Sequence, residues 1–79
     1  MHKILEKIEE NRKTKFMVCN DPQYVDSEEF AEDFNEAYYN LVTKAKAEGI
    51  SDEDISKAAQ KGTTQGETDL AGVFEARRM

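Results

Sequence analysis

Residues 26–49 read DSEEFAEDFNEAYYNLVTKAKAEG, and this stretch decides the fold. Phe30, Phe34, Tyr38 (with Ala37 beside it), Leu41, Val42 and Ala45 recur at helical spacing, which lays a continuous apolar face along one side of an α-helix. Asp26 as N-cap with Glu29 at N3 makes a capping box, with Ser27 the alternative cap one residue on. Lys44 and Lys46 stand in the last two turns, where positive charge suits the carbonyl end of the helix dipole. Gly49 follows at the C′ position, which takes a positive φ.

Beyond this helix, Ser51 caps a third one, Asp54 sits at N3, and Ile50 can pack on Ile55 as a hydrophobic staple. The spacing carries this helix through Ala58 and Ala59 to Gly62. Residues 62–66, Gly-Thr-Thr-Gln-Gly, hold no apolar side chain and predict a loop. Thr68 then caps a short last helix with Leu70, Val73 and Phe74 on one face and Arg77 and Arg78 at its end. Before the central stretch, Ile4, Leu5 and Ile8 predict a first helix starting near His2, with Ile8, Arg12, Phe16 and Cys19 continuing one side and Arg12 laying its stem along the core. Asn20 and Pro22 are stop signals for it. Residues 14–19 also read as a short strand, paired with Tyr24–Val25, which would leave an extended segment near residues 14–25. A strand without a substantial partner is the weaker solution. The sum is an all-α fold, a small three- to four-helix bundle in one domain over residues 1–79.

Composition narrows the function classes. Leu, Ile, Val and Phe make up only 15 of 79 residues, so the core is thin and a second copy could supply the rest, making a homodimer a candidate state. The net charge of −6 argues against nucleic acid as a partner and for a basic protein surface. No apolar run approaches membrane-spanning length, and the N-terminus lacks the apolar stretch of a secretory signal. One cysteine, Cys19, allows no internal disulfide, and with a single His it builds no structural zinc site; the expected location is cytoplasmic. His2, the sole His, stands at a chain end, a poor place for a preorganised base, so neither enzyme activity nor a cofactor is expected. Asp52, Glu53 and Asp54 are hard oxygen donors, but no calcium-binding loop can be laid over them, and helix starts attract acids for dipole reasons alone.

One feature exceeds composition. Six acids fall within residues 26–36, and on a helix Glu28, Glu32 and Glu36 form one i, i+4 row with Glu29 and Asp33 in a second beside it. Like charges at that spacing repel, and the dipole benefit does not reach Glu36. A solvated face that keeps a small protein soluble is the ordinary reading of such a row. A carboxylate ridge that meets a Lys/Arg-rich protein is the functional one, with Tyr39 beside it as an aromatic anchor. The candidate protein-binding residues are therefore Glu28, Glu29, Glu32, Asp33, Glu36 and Tyr39.

Two resemblances bear on function. Residues 50–73 resemble a helix-turn-helix unit: a capped helix, Ala-Ala, Gly, a Thr-rich turn and a second helix, which implies a nucleic-acid-binding regulator using residues 50–78. Against that implication, the would-be recognition helix places Glu67, Asp69 and Glu75 before its arginines. Asp26-Ser27 ahead of an acidic helix is similar to the modification site of acyl carrier proteins, but Glu28 stands where that pattern has an apolar residue, and Ser27 reads as a cap. The expectation that emerges is an acidic interaction module, an adaptor or inhibitor of the phage or mobile-element type that mimics nucleic acid to occupy a basic site.

Overall fold

Helical spacing runs through nearly the whole chain, and the structure follows it. The computed structural model describes residues 2–21 and 27–78, and among these it is all-α, with no strand. Three helices form: α1 (Lys3–Asn20), α2 (Ser27–Ala47) and α3 (Asp52–Arg78).

In α1, Ile4 and Ile8 are buried one turn apart, as the apolar spacing requires. Phe16–Cys19 continue the helix, so the strand alternative for residues 14–19 does not hold. Helix wins because all of residues 11–19 are half-buried, each side finding partial cover, whereas a lone strand would leave its backbone groups unpaired. The last turn closes with Asn20 Nδ2 donating to the Phe16 carbonyl at 2.8 Å. The proposed Asp26 cap and the Tyr24–Val25 pairing lie outside the described residues.

The α2–α3 corner forms as the local signals dictate. Gly49 adopts φ +83°, the Ile50 N–H donates to the Ala45 carbonyl at 3.0 Å, and the Gly49 N–H donates to Lys46 at 3.0 Å, a Schellman motif. The Asp54 N–H then donates to Ser51 Oγ at 3.2 Å, so Ser51 is the N-cap. Ile50 is half-buried against the core cluster, of which Ile55 and Ala45 are members.

The largest departure from expectation is α3. It runs unbroken for 27 residues, about 40 Å at the usual rise, with no loop at residues 62–66 and no cap at Thr68. A fourth helix is therefore absent from the described residues. The glycines are not breakers here but the contact itself. Gly62 and Gly66, one turn apart, are buried between Ala58 and Leu70. A Cβ at Gly62 would collide with the Glu9 carbonyl oxygen of α1, and one at Gly66 would lie 2.7 Å from the Lys13 carbonyl. The two backbones thus approach more closely than side chains would permit. The polar residues of the segment face outward and satisfy themselves. Thr63 Oγ1 donates to the Ala59 carbonyl and Thr68 Oγ1 to the Thr64 carbonyl, while Gln65 Nε2 donates to Asp69 Oδ1.

Both α2 and α3 pack along α1 and hardly touch each other. The buried cluster of Ile4, Ile8, Ala45, Ile55 and Ala58 gathers at the end where α2 and α3 are joined. At the other end Arg77 grips Asp21 through two bonds of 3.0 Å, holding the tail of α3 to the end of α1. The radius of gyration is 13.6 Å against about 11.6 Å for a compact chain of this length. The molecule measures 46 × 25 × 16 Å, a plank with α1 as its middle slat.

Candidate functional site

The position of α2 on α1 is set by a polar joint. Asn11 Nδ2 and one Arg12 guanidinium nitrogen both donate to the Phe34 carbonyl at 3.1 Å. The other terminal nitrogen of Arg12 donates to Asn35 Oδ1 at 3.2 Å. Asn11 Oδ1 accepts two bonds from Arg12, at 2.9 and 2.7 Å, and the guanidinium lies 4.2 Å from the centre of the Tyr38 ring. Desolvation pushes the Arg12 pKa below its ordinary value, partly offset by Tyr38, Tyr39 and Cys19, yet a guanidinium remains protonated at neutral pH. A positive charge is thus held between the helices by neutral acceptors and an aromatic face.

With Phe34 and Tyr38 turned to α1, the 3.6-residue repeat fixes where the acids go. Glu32 and Glu36 lie roughly opposite them on the helix, and Glu28, Glu29, Glu32, Asp33 and Glu36 are all exposed. Elsewhere some acids have basic partners, Glu9 with Lys61, Glu10 and Asp69 with Lys13, Asp52 with Lys46, Glu53 with Lys57, while Glu6, Glu48, Asp54, Glu67 and Glu75 have none among the described residues. None of the five on α2 is ion-paired within the described residues. Tyr39 shares their side of the helix, 67% exposed, its ring 5.9 Å from that of Tyr38 and tilted by 52°. The six candidate residues therefore stand on one outer face of one helix, and their geometry was readable from periodicity alone.

Two features escaped the sequence reading. The helical spacing places the stem of Arg12 on the core side, but the joint its head makes with Asn11, Asn35 and the Phe34 carbonyl depends on how α1 and α2 dock. Asp21, 8% exposed, pairs with Arg77 across 56 residues, and no local signal carries such a contact. The expected apolar face of α2 is also less buried than its periodicity suggests. Phe30 is 40% exposed, Ala37 is exposed, Phe34, Tyr38, Leu41 and Val42 are half-buried, and Ala45 is buried. A plank of three helices gives α2 one neighbour along most of its length, so half its apolar face stays open.

His2 and Cys19 occupy opposite ends of α1, about 25 Å apart along the helix, and cannot meet. Among the described residues no three of His, Cys, Asp or Glu converge as metal ligands, and no helix is long and apolar enough to cross a membrane. A shallow groove between α1 and α3 is lined by Glu6, Glu9, Glu10, Lys13, Lys61 and Gln65, several of which neutralise one another. Compared with family models, curated proteins and solved structures, the chain finds no match in any of the three.

Proposed function

We propose that the chain is a small acidic interaction module, an adaptor or inhibitor, that docks the outer face of α2 on a basic surface of another protein. The supporting observation is the row Glu28, Glu32 and Glu36: exposed, without an ion pair among the described residues, and turned away from α1. A rigid helix presenting carboxylates at one-turn intervals is complementary to Lys and Arg arranged to hold phosphates, as in a nucleic-acid-handling protein. Tyr39 adds an exposed aromatic ring at the edge of the charge. Docking is the whole of this role, with no catalytic step and no cofactor.

The test uses the full chain as bait and the triple variant Glu28→Lys, Glu32→Lys, Glu36→Lys as its control. A genuine partner binds the parent, is displaced by added duplex DNA or heparin, and loses affinity as salt rises. The triple variant should retain its helicity and lose binding by at least about tenfold. A partner that holds both chains equally would reduce the row to solvated surface. The alternative through residues 50–78 requires two helices joined by a turn. Because α3 is continuous and exposes Glu67 and Glu75, no observation favours it.

A further inference from the structure

The two ends of the plank are unequally built. Five of the buried apolar residues gather near the α2–α3 corner. In the other half, residues 11–19 of α1 are all half-buried, residues 28–44 of α2 contain no buried residue, and Leu70 is the buried apolar residue of α3. Helices α2 and α3 each pack along α1 and hardly touch each other, so the half-buried side of α1 between them forms the floor of a trough that neither helix covers. Contacts and periodicity identify its lining. Arg12 stacks on Tyr38 of α2, Phe16 packs on Gly66 of α3, and Cys19 follows one turn beyond on the same side of α1. From α3, Phe74 stands one turn beyond Leu70, half-buried, with Arg77 5.8 Å from its ring.

We propose that a second copy of this chain covers the trough, through a two-fold interface centred on Phe16, Cys19, Tyr38 and Phe74. Area carries the choice of occupant. A compact monomer of 9.0 kDa exposes about 4,850 Å², whereas this chain exposes 5617 Å², an excess of roughly 770 Å². A stable interface of standard size buries about 800 Å² on each partner, so two copies facing each other remove the excess from both. Charge agrees. The trough contains Arg12 and no residue of the Glu28–Glu36 row, which lies on the outer side of α2, so two copies meet without opposing their acidic faces. An interface of a surface with itself closes at two, because the same residues serve both sides.

Sedimentation equilibrium from about 1 µM to about 500 µM tests the assembly, with circular dichroism to follow the fold. The parent should approach twice the 9.0 kDa chain mass within that range. Phe74→Glu, inside the trough, should weaken association by at least about tenfold, while Thr43→Glu, exposed on the outer side of α2 in line with Glu36, changes it by less than about twofold. In parallel, the alkylation rate of Cys19 by iodoacetamide should fall as the parent's concentration rises, a readout that stands even if Phe74→Glu loses helicity. A helical parent that stays at 9.0 kDa throughout overturns the proposal. So does a dimer weakened by Thr43→Glu and not by Phe74→Glu, or a Cys19 alkylation rate independent of concentration.

Discussion

At the scale of single residues, one methyl group reports how α1 and α3 meet. Gly62→Ala improves helix propensity by about 1 kcal/mol, but its Cβ falls on the Glu9 carbonyl oxygen, so the helices must part. Overpacking of that kind costs about 1–3 kcal/mol, and the net effect should be a lower midpoint in urea. Gly72 is the control. Nothing lies within 4 Å of a Cβ there, so Gly72→Ala should stabilise by about 0.5–1 kcal/mol. If both variants shift the midpoint the same way, the close approach is not what holds α3 straight. The Asp21–Arg77 pair is the other residue-scale tie. Asp21→Asn removes the charge that accepts both guanidinium bonds and should destabilise by about 1–2 kcal/mol, visible as fraying of the α3 terminus.

Individual helices respond according to how much cover they find. Phe34 sits mid-face on α2 but is half-buried, so Phe34→Ala should cost about 1–3 kcal/mol, below the range for a fully buried Phe. Glu32 has like charges one turn away on both sides, at Glu28 and Glu36. Glu32→Gln removes both repulsions and should raise stability by about 0.4–1 kcal/mol, measured by thermal melting at low salt. That gain would mean the row opposes the helix it sits on, which is what a surface kept for a partner entails. The joint at Arg12 explains why α2 tolerates so open an apolar face. Three hydrogen bonds and a stacked ring orient it where burial alone is thin.

For the molecule as a whole, the uneven core sets where it opens first. Amide hydrogen exchange should be slowest around Ile8, Ala45, Ile55 and Ala58, and markedly faster over residues 28–38 of α2, whose backbone is covered by few buried side chains. Uniform protection across all three helices would contradict the division into a packed end and an open end. A plank with two partly open faces also separates its surfaces. The acids of α2 point outward, while the apolar trough opens between the helices, so one face can bind a basic partner while the other is occupied.

Helix type, the Ser51 start of α3 and the corner at Gly49 were determined by the sequence, because each depends on residues within a turn or two. An N-cap hydroxyl reaches N3, a positive φ selects Gly, and an apolar face follows the 3.6-residue repeat. The same locality made the outer acidic row and exposed Tyr39 legible. Residues 62–66 look like a loop in sequence and are helix in the fold for the complementary reason. A helix face usually announces itself by apolar side chains, but this one packs through glycines, whose value appears only when the backbone of α1 lies against them. How α1 and α2 dock through Arg12, which distant Arg finds Asp21, and the open trough are likewise consequences of three helices meeting in space. Tertiary structure alone decided them, because the free energy of each contact depends on groups that the chain separates by 22 to 56 residues.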